Sequence, residues 1–340
     1  MQKGAHTGKS EKVLNAWIQL QDKTNYRNTR KRCIHYMKEI IIGIDHGYSN
    51  IKTANTCFKT GVIAHEGKPA FTNDLLIYDG RYYTIGEGHK EYSPIKTNDQ
   101  DYYILTLAAV ARELNLRGLR EAKVIIAAGL PLTWVKEQGA GFRSYLLQKP
   151  EVEFNFRGAT YRVGFADALV FPQGFAAVTD RMKAFVGINM LADIGNGTMN
   201  IMKLVDSRVV QSACFTEFYG THQCTLGIRE QMLSRFGKSV EDNLIDAFIR
   251  NGKADIDQRY QDAMRQSAME YVSGIFRRLR EHGYDPELMR LYVVGGGGCL
   301  IKHFAEIDPA RVVVIGDIHA TAKGYEYMAK LDLRKKGLMQ

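Results

Sequence analysis

The chain has 340 residues, 45% of them hydrophobic and 24% charged, with seven prolines and a formal net charge of +9. This length exceeds what one hydrophobic core usually organises and points to about two domains, while the apolar content excludes a disordered or low-complexity chain. The longest apolar runs, such as Tyr102 to Ala111, fall short of the ~20 residues a membrane helix needs, so a cytoplasmic protein without membrane contact is expected.

Residues 1–36 carry eight lysines and arginines against Glu11 and Asp22, which is +6 of the +9. The remaining +3 is too small to argue for a surface that tracks nucleic-acid phosphates, and no direct DNA binding is expected of the core. The segment is polar and without sustained periodicity, so it reads as a disordered basic arm or as an extension upstream of a start at Met37. Within it, Gly4-Ala5-His6-Thr7-Gly8-Lys9-Ser10 has three residues between its glycines where a phosphate-binding P-loop needs four, and no strand precedes it. Cys33, Cys57, Cys214, Cys224 and Cys299 show no CxxC pairing and read as packing residues in a reducing compartment.

From Met37 the pattern becomes alternating strands and helices. Glu39 to Ile44 is an apolar, β-branched run that stops in Asp45-His46-Gly47-Tyr48-Ser49-Asn50, and the chain resumes as a strand from Ile51 to Phe58. Such a hairpin turn gathers backbone amides and a hydroxyl that can hold a phosphate, with Lys52 in reach of the charge and Asp45 placed for a metal's water shell. A plain hairpin is the alternative. Tyr102 to Leu116 has helical spacing, and Glu151 to Phe156 with Tyr161 to Phe165 reads as a hairpin.

A second turn of the same kind follows. Met190-Leu191-Ala192 leads into Asp193-Ile194-Gly195-Asn196-Gly197-Thr198, and Met199 to Val205 reads as the next strand. Two phosphate-binding hairpins, each led by an aspartate, suit a triphosphate with Mg²⁺, because the cation bridges phosphate oxygens while carboxylates hold its waters. Asp45 and Asp193 are therefore the candidate metal residues. Thr221 to Phe236, Val240 to Arg250 and Ile256 to His282 have the spacing of packing helices, and Arg277 to Arg280 reads as a solvated face. Last, Leu291-Tyr292-Val293-Val294 runs into Gly295-Gly296-Gly297-Gly298 and a helix from Cys299 to Glu306. A glycine-only backbone lets a flat base and ribose approach closely, although a flexible turn has the same composition.

With these three turns in order, the sequence resembles the actin-like ATPase superfamily of actin, sugar kinases and heat-shock chaperones. Within it the sequence is most similar to bacterial actin-like proteins of the ParM/StbA plasmid-segregation type, through Gly43-Ile44-Asp45-His46-Gly47-Tyr48-Ser49-Asn50-Ile51-Lys52 and Gly129-Leu130-Pro131-Leu132. Phe218-Tyr219-Gly220, Leu226-Gly227 and Ile318-His319-Ala320-Thr321-Ala322-Lys323-Gly324-Tyr325 add to it. The resemblance implies a two-domain α/β actin-like (ribonuclease H-like) ATPase fold with a nucleotide cleft between the domains. Domain I would comprise residues 37–172 and 318–340, and domain II residues 173–317.

The resemblance further implies ATP, with GTP as the alternative, and Mg²⁺ in that cleft. Gly47, Tyr48, Ser49, Asn50 and Lys52 would form the first phosphate turn, Gly195, Asn196, Gly197 and Thr198 the second, and Gly295, Gly296, Gly297 and Gly298 the adenosine turn. Val170-Phe171-Pro172-Gln173-Gly174 matches the stretch where ParM-type proteins carry a water-orienting glutamate, so Gln173 takes the catalytic place beside Asp45 and Asp193. An in-line attack needs positioning more than proton abstraction, so an amide can serve. Asn200 stands where many relatives have an aspartate. The implied function is ATP-dependent head-to-tail self-assembly into filaments that segregate plasmid or other replicon DNA through a DNA-bound adaptor of the ParR type. A small-molecule kinase on the same scaffold is the alternative, with a chaperone-like ATPase and an inactive nucleotide-binding scaffold behind it.

Overall fold

The computed structural model describes residues 38–70, 73–88 and 95–338. The basic segment 1–36, its P-loop-like string and Cys33 lie outside the described residues.

The first sheet has nine strands. Its third strand is β1 (Glu39–His46), which pairs antiparallel with β2 (Asn50–Thr53) on one side and parallel with β7 (Glu121–Leu130) on the other. β3 (Cys57–Lys59) extends the β2 edge. Beyond β7 come β9 (Ala159–Pro172), β8 (Glu151–Phe156), β5 (Leu75–Tyr78), β6 (Arg81–Ile85) and β4 (Val62–His65). The second sheet has five strands in the order β12 (Arg208–Glu217), β11 (Met199–Val205), β10 (Ile188–Ile194), β13 (Arg290–Val294) and β14 (Val312–Val314). Without its hairpin additions the first sheet reads β3-β2-β1-β7-β9. Both sheets thus share one topology, three antiparallel strands followed by two parallel ones.

Burial on both faces explains why the central strands are unbroken apolar runs rather than alternating ones. One face of the first sheet packs on α1 (Asp101–Leu116) and α2 (Val135–Leu146). α1 is buried from Tyr102 to Ala111 without interruption, so the longest apolar run of the chain is a core helix. The other face receives α7 (Ala320–Lys335) through Tyr325, Ala329 and Leu333. The second sheet is covered by α3 (Thr221–Phe236), α4 (Asp242–Asn251), α5 (Gln258–Glu281) and the short α6 (Gly298–Phe304). A 3₁₀ segment, Phe175–Ala184, joins the two sheets. Its Ala176 belongs to the core under the first sheet, and its Ala177 and Val178 to that of the second.

Several sequence-based expectations change in detail. The strand expected from Ile51 to Phe58 is two strands, because the backbone turns back at Thr53, whose N–H donates to Thr56 O at 2.8 Å. The buried carboxylate of Glu113 holds that turn by accepting from Thr53 Oγ1, Asn55 N and Asn55 Nδ2. Arg278 is no solvated residue: its guanidinium lies 3.5 Å from the Tyr219 ring centre. Among the described cysteines only Cys224 is buried, and Cys57 is exposed, so packing explains the former and not the latter.

α7 docks so closely that a Cβ on Gly324 would overlap the Ala176 carbonyl oxygen. Gly324→Ala is expected to lose ~1–3 kcal/mol, read as a lower urea midpoint, because backbone must move to admit one methyl. Gly141, inside α2 with nothing within 4 Å of its would-be Cβ, is the control. There alanine gains ~0.5–1 kcal/mol from lower unfolded-state entropy.

Candidate nucleotide site

β1 and β10 are each the third strand from the antiparallel edge of their sheets, and each carries an aspartate as its penultimate residue. Asp45 pairs across the hairpin with Lys52, and Asp193 pairs with Asn200. The two hairpins therefore have one register, and the residue seven positions after each aspartate stands beside it on the neighbouring strand. Directly opposite side chains touch in such a pair. Lys52 Nζ is 3.5 Å from Asp45 Oδ2, and Asn200 Nδ2 is 3.5 Å from Asp193 Oδ2. Asn200 is thus the positional counterpart of Lys52. Its Oδ1 accepts from Leu132 N at 3.2 Å and Thr216 Oγ1 at 2.9 Å, so the amide ties the second turn to the segment after β7.

The electrostatics are unbalanced. Asp45 and Asp193 are each 8% exposed, and Lys52 is their close cation. Burial, then the charge of Asp45, pushes the Asp193 carboxyl up to about 6, with Lys52 and Asn200 acting the other way. Burial opposes the Lys52 ammonium, yet Asp45 and Asp193 outweigh it and its pKa rises. Two buried carboxylates close enough to repel one another suit a divalent cation. No group of three or more His, Cys, Asp or Glu gathers among the described residues, so a cation here would take its remaining ligands from water and phosphate.

Gln173 lies between the turns. Its backbone N–H donates to Leu130 O at 2.9 Å, and its Nε2 donates to Asp45 Oδ1 at 3.3 Å. Gly174 then takes φ +80° with its α-carbon pressed to Asp193, where a Cβ would lie 2.9 Å from Asp193 Cβ. Only glycine accepts both conditions. The amide is thereby fixed at the join of the two sheets.

In the first turn the carbonyls point inward, with Gly47 O accepting from Thr60 Oγ1 at 2.8 Å and Ser49 O from Thr60 N at 2.9 Å. In the second turn Gly195 N donates to Thr198 O at 2.8 Å. The carbonyls of Gly195 and Asn196 accept from Thr221 N and His222 N, the first amides of α3. Tyr219, just before α3, is sandwiched between Tyr271 and Arg278, which anchors this helix start. The glycine run begins at Gly295, whose φ of +82° and position 2.7 Å (Cβ to Oδ1) from Asp193 exclude any side chain. Gly297 N bonds Ile194 O at 2.9 Å, and Gly296 faces open space. The helix after it starts at Gly298 and ends at Phe304, shorter than expected.

The fold thus brings Asp45, Lys52, Gln173, Asp193, Asn200 and the Gly295 end of the third turn into contact. Two further residues join them that the linear pattern did not single out. Lys96 is buried, with its Nζ bonded to His46 O, and burial pulls its pKa down to about 8. Tyr325 reaches the same centre from α7, and its shift upward reflects burial and the charges of Asp45 and Asp193. Neither lies near a turn in sequence, so no spacing signal marks them.

A raised Asp193 pKa is also a stability statement. Between about 3.8 and 6 the folded chain holds more protons than the unfolded one, so stability falls as pH rises through this window and the deficit is complete above it. Asp193→Asn should therefore raise the stability of the ligand-free protein by ~1–3 kcal/mol near neutral pH, and the gain should vanish below about pH 4. Urea melts at the two pH values check this, and equal midpoints near neutrality would refute the charge imbalance.

Comparison with known proteins agrees with this architecture. Residues 43–175 match the family described as the N-terminal domain of actin-like proteins. No curated protein matches the chain. Among solved structures, the ADP complex of Ta0583, an archaeal actin homologue, superposes with a TM-score of 0.68 at 18% identity over 86% of this chain and 99% of that one. Bacillus thuringiensis ParM with ATP gives 0.62 at 14% identity over 86% and 98%. The Alp12 filament structure gives 0.62 at 16% identity over 87% and 99%. This chain accordingly has the actin-like fold, in a form similar to the ParM-type proteins.

Proposed function

We propose that this chain is an ATPase that holds Mg·ATP between its two sheets and assembles head to tail into filaments, which segregate plasmid or other replicon DNA in the cytoplasm through a DNA-bound adaptor of the ParR type. The observation that carries the reading is Gln173, bonded to Asp45 and set against Asp193 through Gly174, at the meeting point of two hairpins of one register. Asp45 and Asp193 would hold Mg²⁺ through its waters, and the cation would neutralise charge on the phosphates. The turns Gly47 to Asn50 and Gly195 to Thr198 take the phosphates, Lys52 supplies fixed positive charge, and Gly296 leaves room for the nucleoside. Gln173 orients the attacking water with its amide, which positions without abstracting a proton.

Support for self-assembly comes from the Alp12 relative, whose structure is that of a filament, and support for ATP from ParM with ATP. Head-to-tail contacts between identical copies build an open filament when the rotation between neighbours does not close into a ring. Among the described residues no helix is long and apolar enough to cross a membrane.

Right-angle light scattering with simultaneous phosphate release tests the proposal, using Mg²⁺ with ATP, GTP, ADP or no nucleotide. Scattering should rise only with triphosphate, phosphate release should follow assembly, and Gln173→Ala should release phosphate ~10–100-fold more slowly while still binding nucleotide. Flat scattering together with ATP consumed only on addition of a small hydroxyl compound would replace the filament reading with that of a kinase.

A further inference from the structure

Tyr325 is completely buried, and its Oη has no hydrogen bond of good geometry, although the Gln173 side chain lies near enough to offset part of the upward shift of the phenol. The ring lies across the first sheet where Gly129 of β7 is paired with Phe171 of β9. It stacks on Phe171 with centroids 6.3 Å apart and planes at 19°. A Cβ on Gly129 would occupy the position of the Tyr325 hydroxyl. Gly129 is therefore a notch cut for the phenol, which gives a physical role to the first residue of Gly129-Leu130-Pro131-Leu132. Through that notch the hydroxyl faces Gln173, two residues past Phe171, and lies within the fields of Asp45 and Asp193.

A buried hydroxyl without a partner costs ~1–3 kcal/mol, and phenylalanine would fill the same space without that cost. Packing alone does not account for the oxygen. Gln173 Nε2 is engaged with Asp45, which leaves Oε1 and its two lone pairs. We propose that Tyr325 is a positioning residue for hydrolysis: its O–H donates to Gln173 Oε1 in the hydrolysis-ready state and fixes the amide plane, so that the second lone pair orients the attacking water. Catalytic hydrogen bonds of this kind commonly tighten only when substrate is bound. The inference rests on the ATPase reading for its consequence and on the apposition of Tyr325 and Gln173 for its geometry.

The test compares wild type, Tyr325→Phe, Gln173→Ala and the double variant, with Gly129→Ala as a second way to displace the hydroxyl. Tyr325→Phe should keep the wild-type melting temperature or exceed it, bind a fluorescent ATP analogue within about twofold of wild type, and release phosphate about tenfold more slowly. The double variant should be no slower than Gln173→Ala, because the tyrosine acts through the amide. Wild-type phosphate release in Tyr325→Phe, or a double variant slower by the product of the two single effects, would overturn the inference. A readout free of hydrolysis is the Gln173 side-chain amide resonance, identified by its loss in Gln173→Ala. It should shift in Tyr325→Phe and in Gly129→Ala, and an unchanged resonance in both would also overturn the inference. If wild type consumes no ATP, the ATPase reading fails, and the resonance still decides whether Tyr325 positions Gln173.

Discussion

Asp45 and Asp193 stand one residue from the ends of β1 and β10, and the fold buries both carboxylates with Lys52 beside Asp45 and Lys96 bonded to the neighbouring His46 carbonyl. Left to itself this arrangement is unfavourable, because desolvation and mutual repulsion both disfavour the charged forms. The chain tolerates it by spending backbone on the site. Gly174 and Gly295 close around Asp193 where any side chain would collide, and Asn200 braces it from the adjoining strand. Such a desolvated pair of charges held in place by the fold is a common signature of a functional site.

The duplication explains the division of labour inside that centre. Both hairpins place an aspartate opposite the residue seven positions later. In the first hairpin that residue is Lys52, which stays ionised beside two carboxylates. In the second it is Asn200, which adds no charge but links Asp193, Leu132 and Thr216. One hairpin supplies charge and the other supplies connection to the first sheet. A carboxylate at position 200 would sit directly beside Asp193 and deepen the repulsion, so the amide is the less costly choice when one lysine serves both aspartates.

The join between the sheets runs under the site. The 3₁₀ segment from Phe175 contributes side chains to both cores, and α7 is pressed onto it at Gly324. Gln173 lies two residues before this segment, and Tyr325 follows Gly324. A change in the relative position of the sheets would therefore alter the spacing of Asp45 and Asp193, which belong to different sheets, and shift the amide and phenol held at the join. Packed interiors respond in this linked way because they have little free volume to absorb a displacement.

By itself the sequence determined the elements that local physics controls. The apolar strands that carry Asp45 and Asp193 and the helix at Thr221 to Phe236 match the structure, because apolar runs bounded by turns and helical spacing are short-range signals. The family resemblance added Gln173, which propensity alone does not mark. Tertiary structure decided the rest. The break at Thr53 depends on Glu113, sixty residues away, and Arg278 is drawn from solvent by the Tyr219 ring. Lys96 and Tyr325 reach the centre only because a loop and the last helix fold back across the first sheet. A buried polar contact between distant residues leaves no periodic trace in the chain, since its partners are chosen by packing and desolvation rather than by neighbours in sequence.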